Sequence, residues 1–84
     1  MKPVTMYGNA MCPYCGAARM LLTKKGIKFT DIDVAGSPEQ FAEMQERSGA
    51  RTVPQIFIGD TSIGGFDELY ALDKNGELDK ILAA

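Results

Sequence analysis

Val4-Thr5-Met6-Tyr7-Gly8-Asn9-Ala10-Met11-Cys12-Pro13-Tyr14-Cys15, residues 4–15, is the stretch that decides the fold class. Val4 and Met6 fall on one side of an alternating run, so residues 4–7 predict a short strand. Gly8–Met11 then read as a loop. Pro13 stands where a helix favours its first residue, because the N–H it lacks is one that a first helical turn leaves unpaired. Beyond it Tyr14, Ala17, Ala18, Leu21 and Leu22 recur at helical spacing, and Gly26 is placed to end the helix in the left-handed region. The order is strand, loop, helix, with two cysteines at the helix start.

The rest of the chain extends this unit. Ile27–Val34 predicts a second strand, although Ile27 and Phe29 are out of phase with Ile32 and Val34. Ser37-Pro38 followed by Gln40 is a capping-box signature, with Phe41, Met44 and Ser48 lining a helix that Gly49 closes. Ile56–Ile58 and Ser62–Ile63 flank Gly59-Asp60 at hairpin spacing. After Gly64-Gly65, the residues Phe66, Leu69, Tyr70 and Leu72 predict a third helix ending near Gly76, and Leu78, Ile81 and Leu82 a last short one. The expected fold class is α/β: β-α-β-α-β-β-α and a further short helix, with a mixed four-stranded sheet and helices on both faces.

Composition limits the chemistry. The chain has 84 residues, 45% of them apolar and 24% charged, which fits one small globular domain over 1–84. It has two cysteines and no histidine. Imidazole-based nucleophile pairs and general bases are therefore excluded, and one chain cannot assemble four nitrogen or sulfur ligands for structural zinc. The net charge of −2 argues against nucleic acid or an anionic membrane as partner. Residues 1–30 carry Lys2, Arg19, Lys24, Lys25 and Lys28 and no acid, a local +5, while residues 31–84 carry −7. Solvated helix faces account for such asymmetry equally well. No run has signal-peptide or membrane-span length, so the expectation is a soluble protein of a reducing cytoplasm, where a close cysteine pair signals redox chemistry or metal.

Cys12-Pro13-Tyr14-Cys15 is a C-x-x-C beside a βαβ pattern, a thioredoxin-like redox signature. At the N-cap, the Cys12 sulfur would meet unpaired N–H groups at the positive end of the helix dipole, which favours thiolate over thiol. Cys15, one turn on and inward, would have its pKa raised by burial. Cys12 is then the attacking thiol and Cys15 the resolving one. An inert buried pair, or half of a metal site shared between chains, competes with this reading. The preceding strand, the proline and the lack of other ligands favour redox chemistry without metal.

Tyr7-x-x-x-x-Cys12-Pro13-Tyr14-Cys15, Thr52-Val53-Pro54 and Gly64-Gly65-Phe66-Asp67 together resemble a glutaredoxin of the small bacterial dithiol class, and the resemblance spans essentially the whole chain. It implies a thioredoxin-like fold and glutathione-dependent disulfide exchange, with glutathione as co-substrate and no tightly bound cofactor. It implies a cis Val53–Pro54 bond that presents Thr52 and Val53 to glutathione, although a proline at a strand start is also simple punctuation. It implies that backbone N–H groups of Gly64-Gly65-Phe66-Asp67 receive the γ-glutamyl carboxylate while the Asp67 side chain meets its amine; read alone, Asp67 is a helix-start residue. Tyr14 would flank the sulfurs or simply pack on its helix. The family often has a lysine where Asn9 stands, holding the glycyl carboxylate; Asn9 donates hydrogen bonds without charge, and Arg51 and Gln40 are alternative holders.

The implied partners are glutathione and disulfide-containing or glutathionylated proteins, ribonucleotide reductase among them, acting on a monomer. Two rival readings share the size and fold. One is a hydrogen donor for ribonucleotide reductase recharged by thioredoxin reductase. The other is an iron–sulfur carrier bridging two Cys12 thiolates with glutathione, whose relatives more often have serine or glycine where Pro13 or Tyr14 stand.

Overall fold

Strand β1 (Val4–Gly8) sends Val4 and Met6 to one face and Tyr7 to the other, and all three are buried. A strand buried on both faces needs helices on both sides of its sheet. The computed structural model describes all 84 residues. In it β1 pairs in parallel with β2 (Phe29–Asp33) and antiparallel with β3 (Gln55–Ile58), and β4 (Thr61–Gly64) closes an antiparallel hairpin on β3. The strand order is β2-β1-β3-β4.

Four helices follow the expected order: α1 (Pro13–Lys24), α2 (Pro38–Ser48), α3 (Phe66–Lys74) and α4 (Glu77–Ala83). Val4, Met6, Ile56 and Ile58 pack with Ala18 and Leu22 of α1, Leu69 of α3, and Leu78 and Leu82 of α4. On the opposite face Tyr7 and Phe57 pack with Val34 and with Met44 of α2. The result is a mixed sheet covered on both faces, as the element pattern implied. No helix is long and apolar enough to cross a membrane.

The second strand is shorter than its sequence suggested, and the change of phase between Phe29 and Ile32 follows from a sheet covered on both faces. The Ile27 N–H bonds the Leu22 carbonyl at 2.9 Å and the Gly26 N–H bonds Thr23 at 3.0 Å, with Gly26 at φ +71°. That pair of bonds is a Schellman closure of α1, in which the residue after the glycine buries its side chain against the last helical turn. Ile27 is therefore a helix-capping hydrophobe that joins Leu22 in the first core cluster. Phe29 packs on that same side, whereas Ile32 and Val34 belong to the face covered by α2.

The punctuation of the remaining elements matches the residues. Ser37 caps α2 by accepting the Gln40 N–H at 3.2 Å, one half of the expected box, and Gly49 ends the helix at φ +72°. Ile58 pairs with Thr61, so Gly59-Asp60 forms the two-residue turn. The hairpin delivers Gly64-Gly65 and the start of α3 beside the loop that precedes β3.

Candidate active site

Cys12 occupies the N-cap of α1 with extended backbone, and its sulfur accepts the Cys15 N–H at 3.2 Å. A backbone donor at a helix start stabilises negative charge on the atom it meets. The Cys12 carbonyl takes the first helical bond, from the Gly16 N–H at 3.1 Å. Cys12 is half-buried, whereas Cys15 has no exposed surface, and both are free thiols. Burial, and next the hydrogen bond with Cys12, push the Cys15 thiol up to about 11. The Asn9 backbone N–H and the more distant Arg19 charge oppose that rise. Two sulfurs one helical turn apart thus occupy unlike environments.

Across from Cys12 lies the loop 51–54. The Val53–Pro54 bond is cis, and the Cys12 thiol donates to the Val53 carbonyl at 3.8 Å. Gln55 is buried at the start of β3, and its Nε2 donates to the Thr52 carbonyl at 2.9 Å and to the Thr52 hydroxyl at 3.3 Å. At the start of α3 Gly65 is the N-cap, and its N–H is taken by the Glu68 carboxylate at 2.7 Å. The N–H groups of Phe66 and Asp67 follow in the first turn, where a helix offers donors to an anion. A cavity of about 470 Å³ runs between these elements, lined by Tyr14, Thr52, Val53 and Pro54 on one side and Gly65, Phe66 and Asp67 on the other. Tyr14 and Phe66 lie 6.4 Å apart between ring centroids, and Tyr70 continues the row 5.8 Å from Phe66.

The sequence model of a family described as Glutaredoxin matches residues 4–63. The chain belongs to the glutaredoxin family. Over 84 residues it is 49% identical to a glutaredoxin of Pseudomonas aeruginosa, covering 100% of both chains. The solution structure of a Brucella melitensis glutaredoxin superposes with a TM-score of 0.85 at 52% identity, covering 98% of this chain and 89% of that one. The crystal structure of a buckwheat glutaredoxin–glutathione complex superposes with a TM-score of 0.87 at 27% identity, covering 98% of this chain and 77% of that one. As a small glutaredoxin with a thioredoxin-like α/β fold, the chain is a thiol–disulfide oxidoreductase.

Asn9 stands apart from the cavity of this glutaredoxin. Its side-chain oxygen accepts the Met11 N–H at 3.0 Å, so the residue folds back on its own loop and does not line the cavity. Arg51 and Gln40 are exposed and do not line it either. Motif reading passed over two residues that shape the site, Gln55 and Glu68. Each carried a signal: a polar residue heading the apolar run Gln55-Ile56-Phe57-Ile58, and an acid at the third helical position after a glycine N-cap. The Gly65–Glu68 bond also narrows the expectation at α3, because it leaves Phe66 and Asp67 rather than Gly65 as the free donors.

Proposed function

We propose that this glutaredoxin reduces protein disulfides and glutathione mixed disulfides at the expense of glutathione, with residues 1–84 acting as one domain. Cys12 thiolate attacks one sulfur of the substrate disulfide; a Cys12–substrate disulfide forms, and the second sulfur leaves as a thiolate and takes a proton from water. Cys15 then attacks Cys12, releasing the first substrate sulfur as a thiol and leaving a Cys12–Cys15 disulfide. Two glutathione molecules return the pair to dithiols and become glutathione disulfide. Where the substrate is itself glutathionylated, a second glutathione can attack the Cys12–glutathione disulfide directly, and Cys15 is not required.

One observation carries this reading: a sulfur at a helix N-cap, bonded by the Cys15 N–H, faces the carbonyl of Val53, and Val53 lines a cavity that ends at a second helix N-terminus. Glutathione is an extended, anionic molecule with a central thiol and a zwitterionic γ-glutamyl end. Its cysteinyl segment would pair with the Val53 backbone as an added strand, supported by Thr52 and Pro54. Its γ-glutamyl carboxylate would meet the Phe66 and Asp67 N–H groups following Gly65, and Asp67 would receive the amine. Tyr14 would cover the reacting sulfurs. The glutathione complex of the buckwheat relative supports this assignment. Asn9 would contribute through the loop before Cys12 rather than by contact. Disulfide-containing proteins such as ribonucleotide reductase are the proposed protein substrates, in the cytoplasm, of a monomeric enzyme.

The test separates the thiols. Cys15→Ser is expected to keep most turnover of a glutathionylated peptide and to lose at least about tenfold on a peptide with an intramolecular disulfide. Cys12→Ser is expected to lose both. Equal loss of both activities in Cys15→Ser overturns the division of roles.

A further inference from the structure

Arg19 belongs to none of the motifs, yet it reaches the loop that carries the nucleophile. From the second turn of α1 its Nε donates to Asp31 Oδ2 at 2.6 Å, and its Nη2 donates to the Asn9 carbonyl at 3.2 Å and to Asp31 Oδ1 at 3.4 Å. Asp31 lies on the edge strand β2, so a single guanidinium ties helix, sheet edge and loop together. An exposed Arg–Asp pair by itself contributes little to stability and needs no functional account. The bond to a backbone carbonyl three residues before Cys12 is what sets this pair apart.

The other side of the loop is fixed as well. The Asn9 side chain holds the Met11 N–H at 3.0 Å. Gly8 lies so close to Cys15 that a Cβ added there would stand 2.8 Å from its sulfur. Residues 8–11 are therefore clamped between the Arg19 guanidinium and the Cys15 sulfur, and Cys12 follows directly.

We propose that Arg19, held by Asp31, is a positioning residue for the resolving step: by fixing Asn9 it keeps the Gly8–Met11 segment seated on Cys15 and the two sulfurs aligned. In that step the Cys15 sulfur bonds to the Cys12 sulfur as the bond from Cys12 to the substrate sulfur breaks. The Cys15 thiol gives up its proton to water, and the departing sulfur leaves with the bonding pair and takes a proton back from water. Closure requires the two protein sulfurs and the leaving sulfur near one line, whereas attack by a free glutathione requires no alignment with Cys15. Arg19 thus biases which of the two routes clears the mixed disulfide. The inference rests on Cys12 attacking and Cys15 resolving.

The experiment compares unsubstituted protein, Arg19→Met, Asp31→Asn and Arg19→Lys. For each, kcat/KM is measured with glutathione on a peptide containing an intramolecular disulfide and on a glutathionylated peptide, and the ratio of the two is taken. A role in folding alone lowers both activities equally and leaves the ratio unmoved. The ratio is expected to fall about three- to tenfold in Arg19→Met, and in the same direction in Asp31→Asn, as modest misalignment of reacting atoms implies. Arg19→Lys is expected to recover less than half of that loss, since a single ammonium cannot replace a planar fork shared between Asp31 and a carbonyl. A ratio within twofold of the unsubstituted protein in Arg19→Met, or full recovery in Arg19→Lys, overturns the inference while leaving the thiol roles intact. If Cys15→Ser still reduces the disulfide peptide at full rate, the division of roles itself fails and the inference falls with it.

Discussion

Gly8→Ala should destabilise the reduced protein through one atom, the Cys15 sulfur. The new Cβ would stand 2.8 Å from that sulfur, at least about 0.6 Å short of ordinary contact, and 3.3 Å from the Cys15 Cβ. Cys15 has no exposed surface, and its backbone is fixed within α1, so the sulfur has little room to move. Overpacking of this kind costs about 1–3 kcal/mol. In a chain of this size each kcal/mol lowers the melting temperature by roughly 4–8 °C. Gly8 is not in the left-handed region, so alanine costs nothing in backbone terms. Removing glycine's freedom in the unfolded chain is worth about 0.4–1 kcal/mol in alanine's favour at such a position. The decisive assay is a double-mutant cycle by urea denaturation under reducing conditions. In a Cys15→Ala background the clash with sulfur is gone, and Gly8→Ala is expected to be neutral or mildly stabilising. A cost that is the same in both backgrounds, within about 0.5 kcal/mol, would refute the assignment of Gly8 to sulfur packing.

Two further outcomes follow from the same geometry. Gln55→Leu removes both bonds that hold Thr52 and is expected to raise KM for glutathione about three- to tenfold with a smaller change in kcat, in steady-state assays; an unchanged KM would detach Gln55 from the site. The raised Cys15 pKa also makes stability depend on pH: the unfolded thiol titrates near about 8.5, the folded one at about 11, so between these values the folded state holds more protons. Stability of the reduced protein from this source is fully present below about pH 8.5 and is lost as pH rises to about 11, and the difference in urea stability between unsubstituted protein and Cys15→Ser should shrink over that window.

Local signals made most of the fold legible. Pro13 at a helix start, Ser37 before a helix, glycines after Lys25 and Ser48, and Gly59-Asp60 between apolar runs each state a boundary in backbone terms, and the elements form there. Ile27 misled because alternation does not distinguish a strand residue from the buried residue that closes a helix; only the bonds to Leu22 and Thr23 do. The placement of the two thiols was legible because residue type at short spacing sets it, with Cys12 at the helix N-cap and Cys15 buried one turn on. Gln55, Glu68 and Arg19 act through partners 3, 3 and 10 to 12 residues away. The first two are local and carried a pattern. The pair of Arg19 with Asp31 exists only once β2 has paired with β1 and brought Asp31 across, which no spacing rule encodes.

The chain contains no histidine, so the difference between its two thiols has to come from position. Cys12 sits where a helix exposes donors, and its sulfur accepts the N–H of Cys15. Cys15 itself faces the sheet, where burial raises its pKa to about 11. That arrangement holds only while the helix start and the preceding loop keep their places. Pro13, Gly8, Asn9 and Arg19 all act there: one fixes the first helical φ, one yields space to sulfur, and the last two tie the loop. A lysine at residue 9 would offer a charge to an anion, but it has no side-chain acceptor for the Met11 N–H. Asn9 commits both its side chain and its carbonyl to the order of the loop. Holding the nucleophile and attracting an anion are separable tasks. Residue 9 of this chain serves the first, and under the proposed function the second falls to the N–H donors at the start of α3.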